Sequence, residues 1–353
     1  LLNTKFSYLT NPKNPKEFDY KSFLENKNIF HTIFANSNNT HIISTNNKFQ
    51  LSNIGIEIKA YLVSVLRNSQ LSQEAFSICS ALLVGYDDEI EGDVLQSFSR
   101  SGTLHVLSVS GMHTAVLYGV LIFLFSFFDK YDKYKKTKFA VVILILWLFV
   151  LITGLSPSIL RAALMLSLVL FGKTFYKQGN SYNTLLLSAF ILLLYNPYLI
   201  KDVGFLLSYS AVFGIMYLHP ILQKIYSFED KIIQNLWSTV LMSISATLFT
   251  LPISLYFFHQ FPIWFIFSNL IIIPISMLIM GAAALFILFY KISVINQALV
   301  FVINSSTSLM LWFAKLTDNS SYGFIDMISF NKLDFLFSSL LIISFSLLTI
   351  TFS

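Results

Sequence analysis

Charge is what this sequence has least of. Only 12% of its 353 residues are Asp, Glu, Lys or Arg, about half the share usual in soluble domains. A single cysteine, Cys79, excludes an intrachain disulfide framework. The six histidines show no HxH or HExxH spacing and no CxxC occurs, which argues against a dedicated zinc site. There is no P-loop, hence no recognisable ATP motor, and no GxSxG elbow or Ser/His/Asp set. No repeat of 20–50 residues is visible. What is abundant is apolar surface: 55% hydrophobic residues, 36 Phe and 17 Tyr, with a mean hydropathy of +0.69. A chain of this length and hydropathy is a polytopic membrane protein. Its net charge of +5 does not by itself mark a nucleic-acid surface, because inward-facing loops of any membrane protein are basic.

The few charges are unevenly spread. Residues 1–103 hold 9 basic and 10 acidic residues, leaving 22 charges for the other 250 positions. Residues 1–53 contain 11 Asn, with β-prone stretches such as His41–Thr45 and the turn Asn11-Pro12-Lys13-Asn14-Pro15. They read as the C-terminal remnant of a small extracytoplasmic β domain. Leu1 opens without Met or a charged leader and cleavage site, so a longer parent chain is expected. Residues 54–103 read as amphipathic helices on the membrane surface or capping the bundle. Ile54, Ile58, Tyr61, Leu62 and Val65 share one face, and so do Leu71, Ala75, Ile78, Cys79 and Leu82. An acidic patch, Asp87, Asp88, Glu89, Glu91 and Asp93, follows.

From 104 to 353 the chain is expected to be an all-α transmembrane domain. Nine apolar runs predict about 7–9 crossing helices: 104–128, 139–156, 158–176, 184–200, 203–219, 236–258, 262–289, 293–316 and 334–353. Three are expected to be broken or re-entrant, at Ser108–Gly111, at Pro252 and at Asn269–Pro274, since irregular backbone survives at membrane depth only against protein or a water-filled cavity. With all nine runs crossing and the front segment outside, ten Lys fall in inner loops, five of them in loop 129–138, and three in outer ones.

Polar residues inside apolar spans are the candidates for chemistry. His105, Ser108, Ser110, Gly111 and His113 form the densest group. Gly111, Ala115 and Gly119 also make a small-residue packing stripe, so close helix packing is one reading and a discontinuous helix lining a polar path is the other. A second group runs from Gly154 to Ala162. Ser156 is a good N-cap, Pro157 a good first helical residue, and Arg161 lies one turn in, either snorkelling to the interface or facing the interior. A third, Gly204–Ser210, holds Ser208, which can also bond its own helix backbone. A fourth joins Pro252, His259, Asn269 and Pro274, alternatively two kinked helices.

In this order these clusters resemble the ComEC-type competence family of membrane DNA-internalisation channels. Gly102–His113 looks like its most recognisable motif. Ala81–Gly85, Gly154–Ala162, Gly204–Tyr209 and Thr250–Pro252 with Ser268–Pro274 match others. Asn14–Leu24 resembles the tail of its N-terminal OB-like domain, with Lys16 where Gly is usual. Any one motif is weak, but five in order are specific. The resemblance implies a channel for single-stranded DNA at the bacterial inner membrane. It further implies a cytosolic helicase or ATPase to supply force, an extracytoplasmic DNA receptor, the bilayer and a homo-oligomer as partners. No cofactor, metal or catalytic residue is expected. The family often adds a metallo-β-lactamase-like nuclease domain, whose clustered His and Asp this sequence does not supply, so the chain reads as the channel part and not as an enzyme. His105, Ser108, Ser110, Gly111, His113, Arg161, Ser208 and Asn269 are the candidates for the DNA path. Gly154, Pro157, Gly204, Pro252 and Pro274 are the candidates for helix breaks or structure. A secondary transporter of a small solute or ion is the competing function, and an intramembrane enzyme using His105 or His113 a third.

Overall fold

The computed structural model describes residues 7–10, 20–25, 29–33, 51–176, 180–226, 228–318 and 323–352. Most of the expected β remnant, including Asn14–Asp19 and His41–Thr45, lies outside the described residues. What is described there is a two-residue antiparallel pairing of β1 (Ser7–Tyr8) with β2 (His31–Thr32) and a short helix α1 (Tyr20–Glu25).

Three helices precede the apolar body: α2 (Leu51–Arg67), α3 (Gln73–Val84) and α4 (Gly92–Arg100). Ser72 caps α3 by accepting the Ala75 N–H at 3.2 Å. α2 and α4 keep exposed faces, but nine of the twelve residues of α3 are buried. The apolar i, i+4, i+7 stripe of α3 is therefore one side of a helix sunk into protein. Ser77 and Ser80 make this possible, because each hydroxyl donates to a carbonyl three residues back in its own helix.

The body follows as α5 (Leu104–Leu107), α6 (Gly111–Leu124), α7 (Asp132–Ile152), α8 (Pro157–Phe171), α9 (Ser181–Tyr195), α10 (Val203–Ile225), α11 (Lys231–Phe258), α12 (Phe265–Leu288), α13 (Ser293–Asp318) and α14 (Lys332–Phe352). Among the described residues five helices are long and apolar enough to cross a membrane: α8 with its π-turn extension to Phe175, and α10 to α13. At 1.5 Å per residue these are roughly 28 to 42 Å long, enough for a hydrocarbon core of about 30 Å. α3, α6 and α9 are shorter apolar helices. The chain is thus an all-α polytopic membrane protein.

The largest core joins the front segment to the far end of the chain. Phe98, Leu66, Ile78 and Leu82 pack with Ile279 and Phe286 of α12 and Met310 of α13. The Arg100 guanidinium pairs with Asp318 at 2.9 Å, closing α4 onto the end of α13. Two smaller cores bind the middle: Val109, Val150, Ile159 and Ala163, then Leu121, Val142, Leu146 and Leu170. β3 (Phe261–Pro262), in the α11–α12 connection, pairs antiparallel with β4 (Phe324–Ile325), in the α13–α14 connection.

Two expected breaks are corrected. Pro252 lies within an uninterrupted α11 and Pro274 within an uninterrupted α12. Each proline removes one backbone donor, which bends a helix without ending it when packing holds both halves. Pro252 is buried; Pro274 is itself exposed, but Ile272 before it and Ser276 and Ile279 after it are buried against the neighbouring helices.

Candidate functional site

The first apolar run does break. α5 stops at Leu107, Ser108 to Ser110 are extended, and α6 starts at Gly111. The new helix start is held by His113, whose Nδ1 accepts the Ser110 N–H at 3.1 Å. The Ser110 hydroxyl lies 3.1 Å from the same nitrogen. A backbone N–H can donate only to an unprotonated nitrogen, so the ring hydrogen sits on Nε2. That nitrogen is buried with no hydrogen-bond partner among the described residues. Gly111 faces α8, where a Cβ would stand 3.2 Å from that of Ala162. His105 and Ser108 lie instead at the chain's own surface.

The second group ends α7 and starts α8. Leu155 N–H donates to the Val150 carbonyl at 2.9 Å and Gly154 N–H to Leu151 at 3.2 Å. This is the Schellman arrangement. It needs a left-handed residue, supplied by Gly154 at φ 77. Ser156 then stands as N-cap with Pro157 in the first turn, as the sequence suggests, though the Ser156 side chain makes no capping bond. The turn delivers Arg161 into protein: its side chain is only 7% exposed, which sets aside an interfacial snorkel.

What meets Arg161 is the start of α10. Asp202 Oδ1 stands 3.8 Å from Nη1 and also accepts the Phe205 N–H at 2.6 Å, capping α10. Gly204 lies alongside, where a Cβ would be 3.6 Å from Nη2. Tyr209, one turn on, is coupled electrostatically to the guanidinium and shares a 3.0 Å hydrogen bond with Ser188 of α9. The Nε of Arg161 is buried without a partner among the described residues. α8, α9 and α10 thus gather one cation, one carboxylate and two hydroxyls. Asp202, Tyr209 and Ser188 were not among the expected residues. The signal for Asp202 was available: it is one of few acids beyond residue 103, three positions before Phe205 in N-cap spacing.

Ser208 spends its hydroxyl on the Phe205 carbonyl of its own helix at 3.1 Å, the plain alternative for that residue. Asn269 sits inside α12 with Oδ1 buried and unpartnered, next to Ser268 whose hydroxyl is likewise orphaned among the described residues. In the front segment, Glu89 gathers Arg67, Tyr86 (3.0 Å) and Gln73 (3.2 Å). The Arg67 bond, then those from Tyr86 and Gln73, hold the Glu89 carboxyl below its ordinary value, against some desolvation. Among the described residues no group of three or more His, Cys, Asp or Glu could hold a metal ion.

The Competence protein family model matches residues 82–351, which include every candidate from His105 to Pro274. ComE operon protein 3 of Bacillus subtilis (strain 168) is 30% identical over 260 residues, covering 74% of this chain and 32% of that protein. The chain therefore spans about a third of that relative's length. No solved structure matches.

Proposed function

The chain belongs to the competence protein family, and from that premise we propose that it forms the membrane conduit through which single-stranded DNA enters a bacterium across the cytoplasmic membrane. Association with DNA uptake follows from the family; the conduit and its strand are the reading the geometry supports best. The observation that carries it is the buried Arg161, held between the N-termini of α8 and α10. Helix N-termini and a guanidinium both favour anions, and the planar fork of Arg matches a phosphate's paired oxygens. With all nine apolar runs taken as crossing, the Lys count turns these helix ends outward, where a cation recruits a polyanion electrostatically and with strong salt dependence. Force is supplied by a cytosolic helicase or ATPase, DNA is handed over by an extracytoplasmic receptor, and copies of the chain associate in the bilayer.

The test is uptake of labelled DNA in a deletion strain complemented with this gene. Arg161→Ala is expected to abolish uptake at an unchanged membrane level, and Arg161→Lys to recover only part, because an ammonium lacks the fork. Wild-type uptake by the alanine variant overturns the reading. Accumulation of a small solute without DNA uptake would favour the transporter alternative that the broken helix at Ser108–Ser110 suggests.

A further inference from the structure

Asp202 serves two elements with one oxygen. Its Oδ1 accepts the Phe205 N–H at 2.6 Å and lies 3.8 Å from Arg161 Nη1. The first is a hydrogen bond; the second is beyond hydrogen-bond range. The guanidinium therefore has a counter-charge but no fork-to-fork pair with it. Its Nε is buried and unpartnered among the described residues, although a guanidinium offers five N–H donors in one plane. A nine-tenths buried cation in this condition lacks acceptors its chemistry calls for. The flank toward Gly204 is bare of side chain. A Cβ there would come within 3.6 Å of Nη2 and 3.2 Å of Asp202 Oδ1, so glycine keeps that approach open. Asp202 is 30% exposed and Arg161 7%, so an anion arriving from water meets the carboxylate first.

We propose that Arg161, Asp202 and Gly204 form a seat for a phosphate oxyanion, and that Asp202 is its resident anion at rest. A phosphate displaces the carboxylate from the guanidinium and takes the paired N–H···O bonds that Asp202 does not make. Asp202 keeps its bond to the Phe205 N–H, so α10 stays capped while the exchange occurs. The carboxylate then acts as a discriminator. A lone anion competes with it weakly, whereas a polyanion with many linked phosphates displaces it readily. The proposal rests on the conduit reading in one respect only, that the phosphate belongs to a DNA strand. A phospholipid headgroup presents the same chemistry.

Asp202→Asn separates the two jobs, because Asn caps a helix as well as Asp does but carries no charge. The full chain in neutral phosphatidylcholine nanodiscs is titrated with a fluorescent oligothymidylate, and in parallel with inorganic phosphate read by the rise in melting temperature. Removing the competing carboxylate is expected to tighten both by about three- to tenfold, a typical span for one ion pair. Arg161→Gln is expected to abolish both effects. Asp202→Ser, also a capping residue, repeats the measurement should the Asn variant melt early. Equal or weaker phosphate binding by both capping variants overturns the seat. Tighter phosphate with no oligothymidylate binding keeps the seat and overturns its assignment to DNA. Stabilisation by phosphatidylglycerol nanodiscs in place of oligothymidylate then assigns it to lipid.

Discussion

The Cβ that Gly55 lacks would stand 2.3 Å from the Leu151 carbonyl oxygen. α2 therefore rests backbone to backbone on the last turn of α7. Lys59, one turn further along α2, donates to the Gly85 carbonyl at 2.6 Å and ties the same helix to the end of α3. Gly55→Ala must lift α2 off α7, a strain costing about 1–3 kcal/mol by analogy with overpacked cores. Cys79 reports it, since this sole cysteine is fully buried in α3. Native protein is expected to resist maleimide until it opens, and the Gly55→Ala variant to label several-fold faster. Equal labelling rates would show that α2 shifts without cost.

A second prediction concerns acid. Arg67 and Tyr86 both bond Glu89, and the first of these holds its carboxyl below the ordinary value. The sign follows from linkage: a carboxyl with a depressed folded pKa stabilises above its unfolded value, about 4.3, and that contribution is lost as pH falls through the folded one. The contacts joining α2, α3 and the acidic loop are therefore expected to loosen only below about pH 4. Hydrogen exchange at Tyr86 to Glu91 measured between neutral pH and pH 3 checks this. Loosening that begins near pH 6 would point to another group.

The local chemistry of the site was legible, and its assembly was not. Ser110-Gly111 and Gly154 to Pro157 stop and start helices by capping and left-handed turns, which depend on a few adjacent residues, so the sequence revealed them. Pro252 and Pro274 are equally local signals, yet both helices run on, because burial on either side outweighs one missing donor. The meeting of Arg161 with Asp202 joins α8 to α10, and no periodicity within either helix encodes it. Likewise the stripe of α3 shows that one face is buried. It does not show that α2, α12 and α13 surround the rest.

Gly111 sets how closely α6 approaches α8. A Cβ there would meet that of Ala162 at 3.2 Å, a contact only slightly too short. Gly111→Ala is expected to cost no more than about 1 kcal/mol. Gly111→Leu must push the two helices apart beside Arg161, and uptake of labelled DNA is expected to fall to background while membrane insertion stays normal. Normal uptake by the leucine variant would mean that this helix contact is ordinary packing.

His113 offers two nitrogens with two different duties, and paired substitutions can part them. Nδ1 accepts the Ser110 N–H and holds the start of α6. Nε2 carries the hydrogen and points, buried, at no partner among the described residues. Asn places its carbonyl oxygen near the Nδ1 position, so His113→Asn is expected to keep the cap and lose the buried donor. Gln reaches the Nε2 position with its amide, so His113→Gln is expected to keep a donor and lose the cap. Loss of a cap costs about 1 kcal/mol. If the orphaned N–H serves the translocated strand, His113→Asn melts like wild type but takes up DNA poorly. His113→Gln then melts about 1–2 °C lower and retains uptake. If instead the ring matters only for the cap, the order of uptake reverses and follows stability. Melting and uptake measured on the same two variants therefore decide whether the break at Ser108–Ser110 exposes a working group or merely turns the chain.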